Sequence, residues 1–173
     1  ELIKHDVIMK YSKIWQDTIR DGEFTLTNTN RLVRYYKGCT GLKTGSTDKA
    51  GFCISACAMR NGLHLIAVIM GSDTRDERNA AARTLLDWGF ANYRIYSEAE
   101  AELEKIPVKR STIDEATAYA KKIDILISGA DEKKIEKRYN IPEYLTGDLK
   151  SGEVIGEIVY TIDGKEIGKT DIY

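Results

Sequence analysis

Residues 43 to 45 read Lys-Thr-Gly, inside the run Gly41-Leu42-Lys43-Thr44-Gly45-Ser46-Thr47. These residue types at this spacing suit the recognition of a peptide that ends in a carboxylate. A strand at a sheet edge offers its backbone hydrogen bonds to an extended ligand. Lys43 supplies a fixed cation, and the Thr44 hydroxyl can donate to the ligand carboxylate. Gly45 leaves room for a closely approaching ligand backbone, and the Ser46 N–H can point at a developing oxyanion. A bare Lys-Thr-Gly is in most proteins a solvent-exposed turn, so its meaning depends on its surroundings.

Those surroundings form a compact pattern. Gly41–Ser46 reads as a short strand, and Gly51–Met59 alternates Phe52, Ile54, Ala56 and Ala58 against Cys53, Ser55 and Cys57. Leu63–Met70 is almost continuously apolar, which predicts a strand buried on both faces. Arg60-Asn61-Gly62 between them is a hairpin turn, because Asn-Gly accepts positive φ readily. A helix is expected next, capped by Ser72, Asp73 or Thr74, with Ala81, Leu85, Leu86 and Trp88 at roughly helical spacing. Upstream, residues 3 to 20 carry a partly helical spacing that Asp21-Gly22 breaks, and Phe24–Val33 reads as a loop flanked by short extended pieces. Beyond residue 96 short strands and turns are expected, ending in a hairpin around Asp163-Gly164 with Val154, Ile158, Tyr160 and Ile162 on one face. Asp114–Lys122 has helix propensity, whereas Ile123–Ile127 looks extended.

Composition narrows the possibilities. The 173 residues carry 26 Lys plus Arg against 27 Asp plus Glu, with no basic stripe interleaved with aromatics, so nucleic-acid binding is not expected. The apolar run Leu63–Met70 is too short to span a bilayer. His5, His64 and the cysteines Cys39, Cys53 and Cys57 make no zinc-ligand spacing, and the cysteines read as small buried apolar residues. Cys53 and Cys57 share a strand face but stand too far apart for an easy disulfide.

Taken together, Gly41 to Phe52, Ser55-Ala56, and Leu65-Ile66-Ala67-Val68-Ile69-Met70-Gly71 resemble the low-molecular-mass serine D-Ala-D-Ala carboxypeptidases, a family of penicillin-binding proteins. Phe24-Thr25-Leu26 and Asn28-Thr29-Asn30-Arg31-Leu32 resemble the segment leading into the family's Lys-Thr-Gly strand, and Arg75–Phe90 resembles its closing helix. Ile106-Pro107-Val108, Gly152 to Gly156 and Asp163-Gly164-Lys165 are similar to the small β-rich domain that follows. The resemblance implies an α/β (α+β) fold: a partial transpeptidase/β-lactamase-like domain over residues 1–94, antiparallel strands covered by a helix, then a small β-rich domain over 95–173. It favours strands for residues 113 to 127.

For the site, the resemblance implies Lys43 as the electrostatic and catalytic cation, with Lys43, Thr44, Gly45, Ser46 and Arg78 binding substrate. The family's nucleophile is the Ser of a helical Ser-x-x-Lys, assisted by a Ser-x-Asn motif. The one formal Ser-x-x-Lys here, Ser46 to Lys49, overlaps the turn after the strand, and no Ser-x-Asn occurs. The chain is therefore expected to be a C-terminal piece that starts after both motifs and is inactive alone. Implied partners are the peptidoglycan stem peptide, β-lactams and the N-terminal part of the same protein, with peripheral membrane association and no metal or organic cofactor. An exported protein at the outer face of the cytoplasmic membrane or cell wall is implied. Rival readings are a β-lactamase-like hydrolase and a non-catalytic binding or scaffold module. Among other candidates, Arg75 is expected at the surface, Asn28 and Asn30 as loop caps, and His64 as a packed or edge histidine.

Overall fold

A computed structural model describes residues 1–173, which divide into two compact units, Glu1–Tyr93 and Arg94–Tyr173. In the first unit a 3-10 turn (Leu2–Lys4) and helix α1 (Asp6–Ser12) lead into a small hairpin of β1 (Gln16–Ile19) and β2 (Phe24–Thr27). The helical spacing noted over residues 3 to 20 thus holds only as far as Ser12. Gln16–Ile19 pairs with β2 instead, in exact antiparallel register from Gln16↔Thr27 to Ile19↔Phe24. Tertiary pairing here overrides a weak local preference. A single turn, α2 (Leu32–Tyr35), precedes β3 (Cys39–Thr47), β4 (Gly51–Arg60), β5 (Leu63–Ser72) and the long helix α3 (Arg75–Asn92).

The three strands form one antiparallel sheet in the order β3-β4-β5, so β3 and β5 are both edges. The β4–β5 hairpin turns as the residue types require, with Asn61 and Gly62 both at positive φ, 48° and 79°. Helix α3 covers one face of this sheet. Its start is a capping box: Thr74 Oγ1 accepts from the Glu77 amide at 3.1 Å, and the Glu77 carboxylate accepts from the Thr74 amide at 3.2 Å. The buried stripe of α3 is Arg78, Asn79, Ala82, Leu86 and Gly89, whereas Leu85 and Trp88 are exposed. Of the apolar helix positions read from the sequence, only Leu86 meets the core. Ala82 packs against Ile54, Ala56, Ala58 and Ala67 of the sheet, with Leu32 and Tyr36 closing the cluster. Small residues on both sides bring helix and sheet close together. A Cβ at Gly89 would lie 2.5 Å from Leu65 Cδ1.

The opposite face of the sheet differs from the sequence reading. Ile66, Val68 and Met70 of β5 are exposed, Met70 at 77%, so these 173 residues bury β5 on one face only. An almost unbroken apolar run cannot by itself distinguish a strand covered on both faces from one covered on a single face.

The second unit is built of strands. β6 (Tyr93–Glu98) opens it, followed by β7 (Ala101–Lys109), β8 (Glu115–Ala120), β9 (Ile123–Ser128), β10 (Ile135–Asn140), β11 (Leu145–Thr146), β12 (Gly156–Ile162) and β13 (Lys165–Ile172). Six of them form a sheet in the order β10-β12-β13-β8-β7-β11, and β6 pairs with β9. The stretch with helix propensity near Asp114–Lys122 is strand β8, because Ala118 and Ala120 fill a core with Ile106, Ile125, Ile127, Ile158, Tyr160 and Ile172. The Asp163-Gly164 turn joins β12 to β13 with both residues at positive φ, 49° and 79°. Val154, read as part of that hairpin's face, lies before β12 and is exposed. Glu98 is the polar centre of this unit. Its carboxylate accepts from Tyr160 Oη at 2.8 Å, from Lys137 Nζ at 2.5 Å and from Tyr96 Oη. No helix of either unit is long and apolar enough to cross a membrane.

Candidate active site

The Lys-Thr-Gly segment lies on β3, the edge strand, and its outer edge has no partner strand. Beside it opens a cleft of about 720 Å³, lined by Thr44, Gly45 and Ser46, by Thr27 at the end of β2 and Asn28, Thr29 and Arg31 of the loop after it, and by Arg75, Arg78 and Asn79 of α3. Trp15, Tyr35 and Phe52 supply aromatic surface. Edge strand, loop and helix start thus converge on one site.

The loop is held by its asparagines. Asn28 donates its side-chain amide to the Ser12 and Ile14 carbonyls at 3.1 and 2.9 Å, and its Oδ1 accepts from the Asn30 amide at 2.9 Å. Asn30, itself buried, accepts from the Leu32 amide at 3.1 Å. Both are loop caps, as asparagine's ability to bond nearby backbone suggests. The locked loop presents the Thr29 hydroxyl to the Thr44 hydroxyl at 2.7 Å. If Thr29 donates, the Thr44 proton is free to point into the cleft, and the pair forms a short polarised chain.

Arg78 is the unusual group. It is only 4% exposed, yet no carboxylate lies within ion-pair reach. Its Nε and Nη2 donate to Asn79 Oδ1 at 3.2 and 3.0 Å, and Nη1 reaches the Cys53 carbonyl at 3.5 Å. Burial, and then the neighbouring Arg75 charge, lower its pKa from the ordinary arginine value. Buried charges are normally paired, and within these residues this guanidinium has only neutral hydrogen-bond partners. Gly45 carries a complementary feature. A Cβ there would meet nothing within 4 Å, and its φ lies outside the left-handed region. Neither packing nor backbone conformation calls for glycine at 45, which leaves open space on the cleft side of the strand.

Of the residues singled out from the sequence, Thr44, Gly45, Ser46 and Arg78 meet in this cleft, and Lys43 is not among its lining residues. Successive strand residues alternate faces, so Lys43 lies across β3 from Thr44; its side chain is exposed and donates to the Thr44 carbonyl. Ser46 is on β3 and Lys49 in the following turn, so the pair is not a helical Ser-x-x-Lys. Arg75 is exposed, as expected, but it lies over the Phe52 ring at 5.7 Å and lines the cleft. Trp15, Arg31, Tyr35 and Asn79 escaped the sequence reading, because they come from separate elements with no spacing signal linking them. His64 Nε2 lies 3.2 Å from Thr40 Oγ1, away from the cleft. The cysteines are all free; burial raises the thiol pKa of Cys39 and of Cys57, which marks them as packing residues.

Comparison with known family models accounts for most of the chain in two pieces, with residues 75–89 between them. Residues 1–74 match the family model described as D-alanyl-D-alanine carboxypeptidase, and residues 90–173 match the model for the C-terminal domain of penicillin-binding protein 5. The chain belongs to the D-alanyl-D-alanine carboxypeptidase family of penicillin-binding proteins. It is 30% identical to the carboxypeptidase DacF of Bacillus subtilis over 99% of this chain and 46% of that one. It is 31% identical to DacA of Haemophilus influenzae over 76% of this chain and 35% of that one. The crystal structure of penicillin binding protein 5 from Haemophilus influenzae superposes with a TM-score of 0.73 at 29% identity, covering 95% of this chain and 49% of its own. The chain therefore spans half or less of the length of these carboxypeptidases, and the Lys-Thr-Gly strand and the loop beside it lie in the part matched by the carboxypeptidase model, with Arg75, Arg78 and Asn79 just beyond it.

Proposed function

We propose that these 173 residues form the substrate-binding wall of a serine-type D-Ala-D-Ala carboxypeptidase, which removes the terminal D-Ala from peptidoglycan stem peptides. The observation that carries this reading is the buried, carboxylate-free Arg78 guanidinium in the same cleft as Thr44 and Gly45. The stem peptide lies along the open edge of β3, adding its backbone hydrogen bonds to the sheet. Its terminal carboxylate accepts from Thr44 Oγ1, whose proton is freed by Thr29, and from Arg78. Gly45 admits the ligand backbone at the point where a side chain would hold it away.

The acylating serine and its lysine come from polypeptide outside these residues, since no helical Ser-x-x-Lys or Ser-x-Asn is present. That serine attacks the penultimate carbonyl and forms an acyl-enzyme; D-Ala leaves, taking up a proton, and water then hydrolyses the ester. The Ser46 amide stabilises the oxyanion. Lys43 supplies positive charge to the nucleophile from the other side of β3. β-Lactams imitate the D-Ala-D-Ala end and acylate the same serine, and the enzyme works at the outer face of the cytoplasmic membrane or in the cell wall.

A fluorescent penicillin tests the reading. The 173-residue chain alone should form no covalent adduct, and a longer protein joining it to a relative's Ser-x-x-Lys and Ser-x-Asn region should label. Stable labelling of the chain alone would show that the nucleophile lies within it. Absence of labelling in the longer protein would remove the enzyme assignment.

A further inference from the structure

The cleft holds more positive charge than one carboxylate requires. Arg31, Arg75 and Arg78 all line it, and no acidic side chain of these 173 residues does. Asp76, the nearest acid, touches Arg31 only at 3.9 Å from a fully solvated position, and no carboxylate is within ion-pair reach of Arg75 or Arg78. The three guanidinium groups are also placed differently. Arg78 is buried beside Asn79, whereas Arg75 is an exposed residue with its guanidinium over Phe52 and Arg31 is exposed at the loop side of the cleft. One anion held by Arg78 and Thr44 therefore leaves two further exposed cations in the same cleft, Arg31 with one long ion pair at 3.9 Å and Arg75 with none.

We infer that the cleft is built for a dianionic peptide: the terminal carboxylate goes to Thr44 and Arg78, and Arg31 and Arg75 select a second, side-chain carboxylate of the same peptide. This rests on the terminal-carboxylate reading above and adds the substrate class to it. The two exposed arginines are specificity residues. An amidated or neutral side chain at that position gains neither attraction, so the discrimination is one of charge.

The test uses the 173-residue chain and two peptides, acetyl-Glu-D-Ala-D-Ala and acetyl-Gln-D-Ala-D-Ala, titrated by calorimetry or NMR at low and high salt. The Glu peptide should bind about fivefold more tightly at low salt, the upper range for a solvent-exposed pair, and the advantage should shrink as salt screens it. Arg31→Gln combined with Arg75→Gln should bring the ratio to about one, and Arg75→Lys with Arg31 intact should retain most of it. Both residues are exposed, so these variants should fold, as far-UV circular dichroism will show. Equal binding of the two peptides, or a ratio that survives the double Gln variant, overturns the inference. If the Gln peptide binds in an Arg78-dependent way while the ratio is one, the terminal-carboxylate reading stands and this inference alone falls. If neither peptide binds, both fall.

Discussion

Replacing Arg78 by Gln, and in parallel the ligand's terminal carboxylate by a carboxamide, isolates the interaction on which the functional reading depends. In the unliganded chain Nε and Nη2 are committed to Asn79 Oδ1 at 3.2 and 3.0 Å, which fixes the guanidinium plane. Nη1 has only a 3.5 Å contact with the Cys53 carbonyl, so it is the nitrogen most readily turned to a ligand. One charge-assisted hydrogen bond from a buried guanidinium contributes about 2 kcal/mol, or about thirtyfold in Kd. Arg78→Gln should therefore weaken the acid peptide about thirtyfold, and the amide peptide far less. The coupling from the four titrations should be close to about 2 kcal/mol. Opposing effects act on stability: an unpaired buried charge disappears, while Asn79 Oδ1 loses its two donors. The unliganded unfolding free energy should consequently change by no more than about 1 kcal/mol. Equal loss for acid and amide peptides would refute the reasoning, since Arg78 would then be shaping the cleft and not holding the carboxylate.

Other outcomes follow from the same structure. Thr44→Val keeps the shape but removes the hydroxyl shared with Thr29, and should weaken acid-peptide binding by about 1 kcal/mol, or about fivefold; unchanged affinity would exclude Thr44 as a donor. Thr74→Ala breaks the capping box of α3 and should cost about 1 kcal/mol. Urea unfolding followed by tryptophan fluorescence will read this, since Trp15 and Trp88 both belong to the first unit. Leu86→Ala, at a side chain 1% exposed, should cost about 3 kcal/mol by the same assay, whereas Leu85→Ala should cost far less. In the second unit, burial pushes the Glu98 carboxyl up, but hydrogen bonds from Lys137, Tyr96 and Tyr160 outweigh it and hold the pKa below its usual value near 4.5. A carboxyl depressed on folding stabilises fully above its unfolded pKa, and that stability is lost as pH falls through the folded value. Calorimetry from about pH 6 down to about pH 3 should show the second unit losing stability in that window, with Glu98→Gln flattening this part of the profile.

Local chemistry set much of this protein directly. Asn61-Gly62 and Asp163-Gly164 form their turns because those residue types accept the positive φ that a tight hairpin needs. Thr74 caps α3 because a hydroxyl with Glu three residues later satisfies amides that the helix leaves open. Lys43-Thr44-Gly45 was legible as a strand, and the proposed recognition of a carboxylate-ended peptide rests on cation, hydroxyl and glycine being consecutive on it. Tertiary structure decided the questions that depend on what a segment packs against. Gln16–Ile19 left its helical pattern to pair with Phe24–Thr27, and Glu115–Ala120 became a strand because its alanines were needed in a core. These residues cover the apolar run of β5 on one face only, and α3 buries Arg78 and Asn79 while exposing Leu85 and Trp88. The site itself divides the same way. Residue types in the β3 segment suggest a carboxylate-ended ligand, but only three-dimensional packing could bury Arg78 without a carboxylate partner in the cleft that Thr44 also lines. It also brought Arg31 and Arg75 to the same cleft and turned Lys43 to the strand's other face, because charge compensation depends on neighbours in space and not in sequence.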